Sequence, residues 1–146
     1  MPSKNIENFD ILAGRVLGFL YTKFPQPITL GAELFIDFKK PHSSRSEQEK
    51  FLRKVEFFND TVSWLADSGY IRYQGRAENS FFRAVLTAQA LLALKALPAS
   101  LTKGPSLGEK LSDFAKAESR AAFREVVSEA LGLGAKVIGP IIGISS

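Results

Sequence analysis

Residues 60–73 read DTVSWLADSGYIRY, and residues 81–97 read FFRAVLTAQALLALKAL. In the first segment, helical spacing gives way at Gly69 to the alternation of Tyr70-Ile71-Arg72-Tyr73-Gln74. This predicts a helix stopped by a glycine just past its end, leading straight into a strand. In the second, Phe81 to Leu86 is a strand, Thr87 is a helix cap, and Ala88 to Leu97 is a helix ended by Pro98. The segment between them, Gly75 to Ser80, is turn-like, so the two strands form a hairpin.

Working upstream, Arg45 to Ser68 contains no Gly or Pro and predicts one long helix. Phe51, Val55, Phe58, Val62 and Leu65 step by four, three, four and three, which is a core stripe that Leu52 and Trp64 widen. Ser44 or Ser46 suits its cap, and Glu47 and Glu49 suit its first turn. Before it, Lys39-Lys40-Pro41-His42-Ser43-Ser44 is a polar break, and Leu30 to Phe38 predicts a short helix. Ile28-Thr29 is a short strand after the extended turn Pro25-Gln26-Pro27. The first helix carries Phe9, Leu12, Ala13, Val16, Leu17, Phe19 and Leu20 on one broad face, with Asn8 or Asp10 as its cap.

Downstream, residues 99–106 read as a linker. Ser106 with Glu109 three positions later forms a capping box for a helix from Leu107 to about Leu131. Leu111, Phe114, Ala115, Ala122, Val126 and Ala130 line one side of it, and Phe123, Val127 and Leu131 another. A helix apolar on two sides wants two partners, its own domain and a second copy. Gly132 and Gly134 are expected to end it, and Lys136 to Ser146 is an apolar, Gly-rich tail. That tail suits an apolar groove better than a membrane interface.

The order helix, short strand, helix, long helix, hairpin, helix resembles a winged helix-turn-helix domain over residues 9–98. The stretch Asp60–Leu97 carries most of the likeness. The turn before the long helix departs from the common pattern, since Lys39 to Ser44 is longer than the usual three or four residues. The expected class is mainly α with a small β-hairpin: a winged helix-turn-helix at residues 1–98 with an added C-terminal helix and apolar tail at 107–146.

The resemblance implies double-stranded DNA as partner, met by the long helix and the hairpin. Charge fits this. The net charge is +4 and the pI about 9.4. Lys39 to Lys54 alone holds six basic and two acidic residues. Lys39, Lys40, Arg45, Lys50, Arg53 and Lys54 are the expected phosphate contacts at the helix, and Arg72, Arg76 and Arg83 at the hairpin. Gln48, Asn59, Thr61 and Ser63 are the polar side chains for base edges, the last two lying near the core stripe. Glu47, Glu49, Glu56 and Asp60 interleave with the cations, which also suits a plain solvated face.

The sequence has no cysteine, so disulfides, thiolate zinc sites and a Cys nucleophile are excluded. His42 is the single histidine, in a Lys-rich loop, and Asp10, Glu33 and Asp37 stand singly. No P-loop, GxSxG or GxGxxG pattern occurs. An enzyme is therefore not expected, nor a cofactor or metal. The N-terminal MPSKNIENFD has no apolar run of the kind a signal peptide needs, and the cytoplasm is the expected compartment. The leading expectation is a small dimeric DNA-binding transcriptional regulator, paired through the C-terminal helix. The alternative is a winged-helix protein-interaction module whose C-terminal helix and tail dock on a protein or membrane surface.

Overall fold

A computed structural model of the chain describes residues 3–39, 41 and 43–144, with side chains as far as residue 137. Lys40 and His42 lie outside the described residues, as do the side chains of the apolar tail from Ile138 on.

The elements are mostly helical around one small antiparallel sheet, an arrangement compatible with a winged helix. Helix α1 spans Lys4–Lys23, strand β1 Ile28–Gly31 and helix α2 Arg45–Asp67. Strands β2 (Ile71–Arg72), β3 (Gly75–Ala77) and β4 (Ser80–Leu86) follow, then helices α3 (Ala88–Lys95), α4 (Leu107–Leu111) and α5 (Arg120–Ile144).

The hairpin is longer than the sequence suggested. Ile71 pairs with Leu86, Arg72 with Val85, Gly75 with Phe82 and Ala77 with Ser80, all in one register. Most of the expected turn is thus strand, and the loop shrinks to Glu78-Asn79. β1 pairs with the other edge of β4, where the register shifts by one residue between Ile28 and Leu30. The extra residue falls on β4 beside Arg83, whose φ of +54° is the left-handed conformation that some β-bulges use.

Caps account for several boundaries. Ser44 Oγ accepts the Glu47 N–H at 3.1 Å, and Thr87 Oγ1 accepts that of Ala90 at 3.2 Å while donating to the Gly69 carbonyl at 2.7 Å. Gly69 closes α2 at φ +90°, a conformation a side chain would strain.

Four expectations are corrected. The helix over Leu30 to Phe38 is a strand end plus a 3-10 turn at Ala32–Leu34. Leu30 and Gly31 are taken by pairing with Phe81 and Ser80, which leaves too little chain for an α-helix. Second, α1 begins at Lys4 after Ser3, and Asp10 lies within it, bonded to Arg124. Third, the single helix from Leu107 is divided. Asp113 caps a 3-10 turn at Phe114–Lys116 by accepting the Ala115 N–H at 3.1 Å, and Ser119 Oγ accepts the Ala122 N–H at 3.0 Å at the start of α5. Fourth, Gly132 and Gly134 do not end α5, which runs on to Ile144. The Tyr70 ring lies where a Cβ on Gly134 would be, and its hydroxyl donates to the Leu131 carbonyl at 2.7 Å. This packing offsets the helix-breaking tendency of glycine, about 1 kcal/mol.

α1 is the centre of the molecule. α2 and β4 lie along part of its surface, α4 and α5 along the rest. This is why Ile11, Ala13, Gly14, Val16, Leu17, Gly18 and Leu20 are all buried, a wider arc than one amphipathic face provides. Gly14 lets Phe123 and Val127 of α5 approach, and Gly18 lets the Leu111 carbonyl of α4 do so. Leu107, Leu111, Phe123, Val127 and Ala130 join Leu17, Phe58 and Phe81 in one continuous core.

Candidate nucleic-acid interface

α2 outruns the core. Every residue from Ser44 to Lys50 is exposed, Phe51 and Val55 are half-buried, and full burial begins at Phe58. The cap at Ser44 is doubled, because the Glu47 carboxylate also accepts the Ser43 N–H at 3.1 Å. The bond to Ser44 Oγ satisfies an orphan donor of the first turn and the bond from Ser43 ties the chain before the cap to it, while Phe51 packs edge-on against Phe38 with ring centroids 4.8 Å apart. Leu52 and Trp64, expected in the core, are 57% and 46% exposed. Trp64 rests between Phe9 and Tyr70, with ring centroids 5.2 and 6.0 Å away.

The helix's charges fall in strips. At 3.6 residues per turn, Lys50, Arg53 and Lys54 span about a quarter of its circumference, all exposed. Glu49, Glu56 and Asp60 occupy the adjacent strip, and Asn59 and Ser63 the next. The hairpin docks on that last strip. Asn59 Nδ2 donates to the Glu78 carbonyl at 2.9 Å, and Arg76 Nη1 donates to Ser63 Oγ at 3.3 Å. An acidic ridge therefore stands between the hairpin and the lysine-arginine strip.

The expected contact residues separate accordingly. Lys50, Arg53 and Lys54 share one strip. Arg45 lies off it, in an exposed pair with Glu49 at 3.6 Å. Lys39 is exposed in the bend before α2, its N–H held by Asp37 Oδ1 at 2.9 Å. Arg72 and Arg83 are exposed on β2 and β4. Arg76 lies over the Phe81 ring, 4.6 Å from its centroid, and so helps to hold the hairpin. Of the polar residues named for base edges, Thr61 is buried, Ser63 accepts from Arg76 and Asn59 holds the loop, which leaves Gln48 exposed near the helix tip.

A surface formed by α4, α5 and the segment before them has the other sign. A groove of about 510 Å³ beside residues 98–105 is lined by Glu109, Asp113, Glu118, Glu125 and Glu129 against two lysines. Such a surface repels phosphate. Among the described residues no group of three His, Asp or Glu is placed to hold a metal, and no helix is long and apolar enough to cross a membrane.

Compared with protein-family models, curated proteins and solved structures, the chain matches none.

Two arginines escaped the sequence reading. Arg124 on α5 and Arg15 on α1 both sit in the folded interior's margin, half-buried. Arg124 has Arg120 and Ser128 beside Ala121 and Val127, whereas Arg15 interrupts an otherwise apolar helical neighbourhood, with Ile11, Leu12, Gly18 and Phe19 at spacings of three and four. That interruption is the signal a helical wheel offers.

Proposed function

We propose that the chain is a winged-helix DNA-binding module acting in transcriptional regulation. α2 is its recognition helix and the β2–β3–β4 hairpin its wing. The observation that carries this reading is the capped N-terminal half of α2, exposed from Ser44 to Lys50 and half-buried beyond that only at Phe51 and Val55, with Lys50, Arg53 and Lys54 on one strip. A rigid helix end clear of the core is the shape a major groove admits, and a strip of cations is what flanking phosphates bind. The three-residue 3-10 turn replaces the second helix of the usual motif, so α2 enters without a helix packed across its start. The acidic ridge makes the wing contact separate from the helix contact, through Arg72 and Arg83 rather than Arg76.

The module acts as a dimer in this reading. The last buried residue described on α5 is Gly134; Ala135, Lys136 and Val137 are exposed, and the helix continues to Ile144. A helix end standing off its own domain suits pairing with a second copy.

Selection of bound sequences from a random duplex pool tests the function. Enrichment of a two-fold repeated site supports it; a pool left unenriched over successive rounds refutes specific recognition. Sedimentation equilibrium on the full chain and on a chain ending at Ala135 tests the pairing, which predicts a dimer for the first and a monomer for the second.

A further inference from the structure

Arg15 opens onto a cavity of about 310 Å³ between α1, the 3-10 turn before α2 and the α4–α5 connection. Its guanidinium lies 5.4 Å from the Phe35 ring centroid and 5.8 Å from that of Phe114. Phe19, Leu34 and Leu111 complete the apolar wall, and Leu34 is 42% exposed at the rim. The charge has no described counter-ion. The one carboxylate in the wall, Asp113, is engaged by its own turn, with Oδ1 accepting the Ala115 N–H at 3.1 Å and Oδ2 3.9 Å from Lys116 Nζ. Burial also holds the Arg15 pKa below its ordinary value, and aromatic rings rather than a free carboxylate face the cation.

We propose that this cavity binds a small organic monoanion, a carboxylate on an apolar body, with Arg15 as its anchor. The guanidinium already stacks on aromatic rings, and its planar fork matches a carboxylate bidentately. The phenylalanines and leucines receive the apolar part. The volume is at the lower end of the range for ligand sites, which fits a molecule of benzoate or hexanoate size. The site differs from the α2 strip and its function does not depend on DNA binding.

Benzoate, with neutral benzamide as its isostere, tests this by NMR titration of the full chain at fixed ionic strength. Benzoate is expected to shift the amides of Arg15, Phe35 and Phe114 saturably, and benzamide to bind about tenfold or more weakly. Arg15→Gln is expected to remove that preference for the anion. Arg15→Lys, which keeps the charge should the glutamine variant not fold, is expected to retain the preference with weaker binding. Equal affinity for benzoate and benzamide, benzoate shifts spread over the basic surface instead of the cavity, or no shifts at tens of millimolar would each overturn the proposal.

Discussion

Arg124 and Asp10, 114 positions apart, are joined through a single carboxylate oxygen. Arg124 Nε and Nη2 both lie 3.1 Å from Asp10 Oδ2, and Nη1 reaches Glu7 Oε1 at 3.3 Å. The clamp fixes α5 along α1 at the end away from Gly18. Its two acids are not equal, because the Asp10 side chain is 13% exposed and that of Glu7 37%. Asp10→Ala leaves a mostly buried cation with only the more exposed Glu7 and is expected to cost about 2 kcal/mol. Glu7→Ala breaks a solvated pair and should cost less than about 1 kcal/mol. Urea unfolding of both variants checks this, and equal losses would refute the assignment.

Two glycines in helices should respond with opposite sign. A Cβ at Gly18 meets the Leu111 carbonyl, a backbone atom that cannot turn aside. Gly18→Ala is expected to destabilise by about 2 kcal/mol or more. Gly132 faces open space, so Gly132→Ala gains helix propensity, up to about 1 kcal/mol. Thermal unfolding of the pair separates the outcomes, and a destabilised Gly132→Ala would contradict the continuous α5.

Tyr70 ties the end of α2 to α5 through its hydroxyl bond to Leu131. Burial raises this phenol above its ordinary value of 10.0. The folded state thus holds the proton more tightly than the unfolded chain. The stabilisation is complete below about pH 10 and is lost as pH rises through the higher folded value. Tyr70→Phe should lose about 1 kcal/mol at neutral pH and show a flatter alkaline limb in its stability profile. An alkaline limb identical to the original would place the effect on another group.

Much of the fold was legible because its signals are local. The Gly69 stop, the Thr87 and Ser44 caps and the stripe Phe58, Val62, Leu65 each need only a few neighbouring residues to be read. What failed depended on distant partners. Leu30 and Gly31 have apolar helical spacing but are claimed by β4, some fifty positions away. Gly134 looks like a helix end until Tyr70 covers it. Asp10 looks like a cap until Arg124 arrives from α5. Ser106 does cap α4, but its hydroxyl also meets the Glu109 carboxylate at 3.3 Å, so the glutamate holds the side chain of the cap. At the interface, composition placed the cations between Lys39 and Lys54 yet was blind to their division. Whether Arg53 and Arg76 share a face depends on where the hairpin docks, and Asn59 and Ser63 decide that.

Arg76 should therefore behave differently from the helix cations. Arg76→Ala removes the cover of Phe81 and the bond to Ser63, at about 1 kcal/mol of stability. Its effect on binding to duplex DNA is expected to be smaller than that of Arg53→Ala, as fluorescence anisotropy with both variants would show.

The α2 strip as the phosphate-binding surface is tested most directly by the salt dependence of binding to random duplex DNA. Each neutralised phosphate contributes about −0.9 to the slope of log affinity against log salt. The combined Lys50→Gln, Arg53→Gln and Lys54→Gln variant should bind more weakly at low salt, with a slope shallower by about 2 to 3 than the unaltered protein. No binding by the unaltered protein at low salt, or equal slopes for the two proteins, would contradict the account.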